Sequence, residues 1–128
     1  MNYKPYFTLW AVFYLVSGLN LLFIPNLFMS VFGCPLDAQG MLVARVLGSA
    51  LVALGVIHFM LRNSKVPGPE IIALIIFSLL FNLVDVPIMV SGTVAGVMNA
   101  LGWVPVVVNI TIATSAGYLL YKSKRTAK

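Results

Sequence analysis

The chain has 128 residues, 61% hydrophobic and only 9% charged, with a formal net charge of +5. Soluble domains carry roughly 45–50% apolar and 25% charged residues, so a water-soluble enzyme or binding domain is excluded and the composition is that of a membrane protein. The basic excess does not point to nucleic acid, because the lysines and arginines flank apolar runs and form no basic patch.

After MNYKP, an apolar run from Tyr6 to about Phe28 gives the first predicted span (6–28), too long for a signal-peptide core. The segment Val31–Cys34 fits a lipoprotein cleavage box poorly, and Cys34, the single cysteine, reads as a bystander thiol. Met29 to Gly40 is punctuated by Gly, Pro and Asp, with Pro35 and Asp37 suited to a first helical turn. The second span is predicted over 36–61, beginning as early as Pro35, and the polar loop 62–69 follows it. A third span is predicted over 70–90, then an uncharged turn 91–102 with room for a short interfacial helix, then a fourth span over 103–121. Pro105 is tolerated in that last helix's first turn, and the basic tail is expected to fray. These four spans make one membrane domain, an all-α four-helix bundle.

Lys4, Arg62, Lys65, Lys122, Lys124, Arg125 and Lys128 fall on one side of this arrangement, and the first and third loops carry no basic residue. The positive-inside rule then puts both termini in the cytoplasm, with a bacterial cytoplasmic membrane as the expected location. Such a bias argues against a dual-topology exporter or channel.

Displacing the sequence on itself by 62 positions matches Pro5 with Pro67, Asn20 with Asn82, Pro25 with Pro87, Gly40 with Gly102 and Gly55 with Gly117. Prolines, asparagines and glycines dominate the matches, which suggests a duplication into two parallel helical-hairpin repeats related by an axis along the membrane normal. Two unrelated hairpins of similar composition are the alternative.

Each span carries a strongly polar group toward its outer end: Asn20, Arg45, Asp85 and Asn109, with Asn82 one turn from Asp85. Charged and amide groups inside a membrane face the bundle interior and each other. The expectation is therefore an inward polar layer built on an Arg45–Asp85 ion pair, with Asp37 as the rival partner if the arginine snorkels outward. Ser78, Asn82 and Asp85 share a helical face, as do Arg45, Gly48, Val52 and Gly55, and Ser17 with Asn20. The glycines and Ala113, Ala116 and Gly117 read as close-packing positions. The layer either fixes helix register or lines an outward-opening pocket for a polar head group, an anion or a proton.

On the inner side His58 and Glu70 fall at similar depth and form a candidate pair, most simply an interfacial histidine beside a helix N-terminal glutamate. The sequon at Asn109 lies within a span and is inaccessible. Tyr3, Tyr6, Trp10, Trp103, Tyr118 and Tyr121 read as interfacial belts. The sequence offers no metal cluster, no catalytic triad, no phosphate loop and no cofactor motif.

From Gly18 to Phe59 an apolar helix ending in Pro25, a short turn, and an arginine followed by LGSALVALG carry a family likeness. In Arg45, Gly48 and Gly55 the chain resembles the small four-span bacterial proteins of the DoxX-like group, particularly the DUF4345-type families; Asp85 does not carry over from them. The resemblance implies four spans and, for some relatives, a supporting role beside membrane redox enzymes. The expected function is non-enzymatic: an accessory or interaction subunit with a membrane-protein partner or a second copy of itself. A small transporter or a lipid, quinone or anion binder using the polar layer is the alternative.

Overall fold

A computed structural model describes residues 3–64 and 68–126. The chain runs α1 (Lys4–Phe23), α2 (Pro25–Val31), α3 (Ala38–Leu61), α4 (Pro69–Val94), a 3-10 turn (Ala100–Gly102) and α5 (Trp103–Thr126), with no strand among the described residues. α1, α3, α4 and Ala100–Ser123 hold 20, 24, 26 and 24 residues and are long and apolar enough to cross a membrane. At about 1.5 Å per residue each covers the roughly 30 Å hydrocarbon layer. Leu9, Val16, Leu42, Leu80, Val84 and Val107 are exposed on the outward faces, as a lipid-facing surface requires. The fold is an all-α four-helix bundle of the integral membrane type.

Several helix boundaries differ from expectation. The continuous first span over 6–28 is broken at Ile24, whose φ of −130° and ψ of 49° leave the helical region. Pro25 has no N–H for the Leu21 carbonyl and its ring collides with that carbonyl, so α1 stops at Phe23 and Pro25 opens the short α2. Its counterpart Pro87 stays inside α4, which runs on to Val94 rather than ending near residue 90. The second change is at α3, which starts after Pro35: Asp37 is its N-cap and accepts a 2.7 Å hydrogen bond from the Gly40 amide. Helix α5 continues to Thr126 through most of the tail expected to fray.

The closest packing is within hairpins, α1 antiparallel on α3 and α4 antiparallel on α5. Glycines set the first contact. A Cβ on Gly18 would lie 2.8 Å from the Gly48 carbonyl oxygen, and one on Gly48 only 2.7 Å from the Leu22 nitrogen. The two backbones touch there, which is how helices gain packing where no hydrophobic driving force exists between them. Gly117 has nothing within 4 Å of its Cβ position and does not serve this purpose.

One pair of positions 62 apart plays a similar local part in both halves. Asp37 caps α3 at φ −75°, ψ −178°; Asn99, 62 positions on, caps the 3-10 turn at φ −73°, ψ −175° and accepts from the Leu101 amide. Pro67 of the matched prolines lies outside the described residues.

The hairpins meet at both ends of the bundle. At the end bearing Lys4, Arg62 and Lys122, Tyr3, Phe7, Trp10 and Tyr14 pack with Ile71, Ile75, Ile112 and Leu119 in one buried cluster. Tyr3, Tyr6 and Trp10 are thus core residues, correcting the belt reading for those three, whereas Trp103, Tyr118 and Tyr121 are exposed. Lys65 and Lys128 lie outside the described residues, as do the side chains of Lys124 and Arg125. At the far end the two connecting loops are stitched together. The Cys34 thiol donates to the Val97 carbonyl at 3.0 Å, the Asn99 amide to the Phe32 carbonyl at 2.8 Å, and Asn99 Nδ2 to the Val31 carbonyl at 2.9 Å.

Candidate functional site

Between these closed ends lies a cavity of about 550 Å³. Its walls are apolar: Leu21 of α1, Leu51 of α3 and Val108 of α5 among them, with Phe28 and Met29 of α2 and Met98 toward the far end. The break at Ile24 matters here, because it turns α2 and lets Phe28 and Met29 line the space. Val43 and Leu47 of α3 and Val104 of α5 line the cavity and are also exposed on the molecular surface. These residues put α3 and α5 on the border between the cavity and the molecular surface.

Polar groups gather on one part of the lining: Tyr14, Ser17, Asn82, Asp85 and Asn109. Ser78, Asn82 and Asp85 lie one helical turn apart in succession on α4, which directs the last two to the same space. Asp85 Oδ2 accepts a hydrogen bond from Asn109 Nδ2 at 2.5 Å, so its partner comes from its own hairpin. Asn82 is 1% exposed. Its Nδ2 donates to the Ser78 carbonyl at 2.6 Å and reaches the Tyr14 hydroxyl at 3.4 Å, whereas its Oδ1 is buried with no hydrogen-bond partner. A buried amide oxygen left unmatched is costly, and this one belongs to a residue of the cavity lining.

Two of the five residues expected in the polar layer do not join it. Arg45 is exposed and makes no ion pair with Asp85; no salt bridge is present among the described residues that would link it to Asp37 either. The reason lies in the phase of α3. Its buried stripe is Ala44, Gly48, Leu51, Gly55 and His58, and each residue turns the helix by about 100°, so Arg45 falls on a flank. Val43 and Leu47 on the other flank line the cavity, and the arginine points away from it. Asn20 spends its Nδ2 on the Val16 carbonyl of its own helix at 2.8 Å and is not part of the lining. Tyr14 was not singled out as a site residue by its type or spacing; its hydroxyl becomes legible only when α1 and α4 are placed together.

The His58–Glu70 pair does not form. His58 is fully buried between the Phe7 and Tyr14 rings, at centroid distances of 5.5 and 5.0 Å, while Glu70 is exposed in the first turn of α4. His58 Nδ1 lies 2.8 Å from the Leu54 carbonyl and Nε2 lies 3.4 Å from the Ser78 hydroxyl. A carbonyl can only accept, so Nδ1 carries a proton, and in the neutral ring Nε2 then accepts from Ser78. Ser78 thereby links the imidazole to the backbone that holds Asn82.

No family model, curated protein sequence or solved structure matches the chain. The site must be read from its own chemistry. Among the described residues no group of three or more His, Cys, Asp or Glu could hold a metal. Among the described residues no Lys, Arg or His lines the cavity, so an anion finds no described charge to pair with there. The lining suits a molecule that is mostly apolar and carries one small polar end.

Proposed function

We propose that this protein is a non-enzymatic multi-pass membrane protein that binds an apolar-tailed molecule in the slot between its two hairpins. The observation that carries the reading is the 550 Å³ apolar cavity, bordered by surface-exposed residues of α3 and α5, with Asn82, Asp85, Asn109 and Tyr14 on its lining; its opening is read as lying on that border. A molecule dissolved in the bilayer enters such an opening without crossing water. The same observation favours a lipid or quinone-class ligand over an anion. The bacterial cytoplasmic membrane, cytoplasmic termini and kinship with the DoxX-like group belong to this proposal, and rest on the basic flanks and on Arg45, Gly48 and Gly55.

The test is to purify the protein in mild detergent, then identify co-purifying small molecules by native mass spectrometry and solvent extraction. Ala44→Phe, at a buried cavity-lining position, supplies the control. The wild type is expected to carry a bound amphiphile and the variant to lose it while keeping a helical spectrum and a cooperative melt. Equal occupancy, or none in either protein, counts against the reading.

An accessory-subunit role is supported by a different residue. Arg45 is exposed on α3 seven positions from Ala38, about 10 Å along the helix, a depth at which an arginine either snorkels to head groups or meets an acid on a neighbouring protein. Cross-linking from a cysteine placed at position 46, also on the exposed surface, in native membranes tests for that neighbour; adducts with lipid alone would leave snorkelling as the explanation.

A further inference from the structure

We infer that the cavity selects molecules whose polar end donates hydrogen bonds, a hydroxyl or a primary ammonium on an apolar tail, over molecules whose polar end only accepts them. This rests on the binding reading above and specifies its ligand class.

The polar part of the lining is unbalanced. Asn82 Oδ1 is a buried acceptor with no partner. Asp85, one turn along α4, has one carboxylate oxygen engaged by Asn109, and its other oxygen makes no hydrogen bond within the described residues. Most donors of the same region are committed: both N–H groups of Asn82 Nδ2, to the Ser78 carbonyl and the Tyr14 hydroxyl, and one of the two on Asn109 Nδ2, to Asp85. Tyr14 and Ser17 hydroxyls can donate or accept, so they do not reverse the balance. A head group with an O–H or N–H meets the free Asp85 carboxylate oxygen directly, whereas the Asn82 oxygen has almost no accessible surface and is met only if its side chain turns. One with only ether or carbonyl oxygens can bond to Tyr14, Ser17 or the second Asn109 N–H, but it sets a lone pair against the Asp85 carboxylate. Sites built around unmatched polar groups reject analogues that cannot complete them. By the same rule a quinol, with two hydroxyls, is preferred over its quinone.

The probes are 1-dodecanol, dodecylamine, dodecyl methyl ether and dodecane, titrated into the full-length protein in one nonionic detergent, with binding read as thermal stabilisation at equal free concentration. The alcohol and the amine are expected to bind about ten-fold more tightly than the ether, the discrimination of one well-placed hydrogen bond. An amine stronger than the alcohol identifies an ionic contact with Asp85, and equal binding of the two identifies hydrogen bonding alone. Asp85→Leu is expected to abolish the preference while dodecane still binds. If that variant does not fold, the wild-type alcohol-to-ether ratio decides by itself. Equal binding of all four probes, or tighter binding of the ether, overturns the donor rule and leaves the cavity reading standing. Binding of none overturns both.

Discussion

Asp85 and Asn109 are joined side chain to side chain across the α4–α5 contact, carboxylate to amide, so the acid that lines the cavity is held by its own hairpin. Replacing Asn109 by Leu leaves a half-buried acid without its donor, and a destabilisation of about 1–3 kcal/mol is expected. Replacing both by Leu is expected to restore most of that loss, because removing a buried polar pair together is often near neutral. A double-mutant cycle on Arg45 and Asp85, read by denaturant unfolding in micelles, is expected to give coupling within about 0.3–0.5 kcal/mol of zero. A coupling above about 1 kcal/mol would restore the ion pair that the geometry lacks.

The α1–α3 contact makes an equally direct test. Gly48→Ala places a methyl 2.7 Å from the Leu22 nitrogen and 2.8 Å from the Gly18 carbonyl oxygen, and backbone cannot swing aside as a side chain can. A loss of about 1–3 kcal/mol is expected. Gly117→Ala, with nothing within 4 Å of the new methyl, is expected to be neutral or to gain up to about 1 kcal/mol from helix propensity. In the same detergent the melting temperature should fall for Gly48→Ala and hold level or rise for Gly117→Ala.

The spans were legible because hydrophobicity accumulates over twenty residues and is insensitive to detail, and the glycine face of α3 because Gly48 and Gly55 are rare types at helical spacing. Phase was harder to read. The sets Arg45, Gly48, Val52, Gly55 and Ala44, Gly48, Leu51, Gly55 fit a helix almost equally well, and the charge made the first the more conspicuous. The structure buries the second. The partners of Asn20 and Asp85 were not legible either, since an asparagine can satisfy itself on the preceding turn and a carboxylate can take an amide in place of a cation. Neither outcome alters the residue types present. The effect of Pro25 against Pro87 depends on what packs around each kink, and a matched pair of prolines carries no sign of it.

His58 should report its surroundings by spectroscopy. Its contact with the Leu54 carbonyl places a proton on Nδ1, and nitrogen-15 NMR of labelled protein is expected to show the neutral Nδ1-protonated tautomer. Ser78→Ala should shift the Nε2 resonance, whereas Glu70→Gln, altering an exposed residue, should leave it in place. His58→Ala empties a fully buried site between two rings and is expected to cost about 2–5 kcal/mol.

At the far end, Asn99→Ala removes both the cap on the Leu101 amide and the side-chain bond to Val31. A cost of about 1–2 kcal/mol is expected. Hydrogen exchange should quicken at Leu101 and in the neighbouring loop before it quickens at Ile75 or Ile112, which are wholly buried at the other end.

The loop stitch through Cys34, Phe32, Val97 and Asn99 has a mechanical consequence. With aromatic packing fixing the hairpins at one end and three hydrogen bonds tying them at the other, the two halves cannot part like jaws. Widening the slot instead requires α3 and α5 to bow along their length, and an entering tail would be admitted by flexing two long helices between fixed ends, as a cord slips between the staves of a barrel.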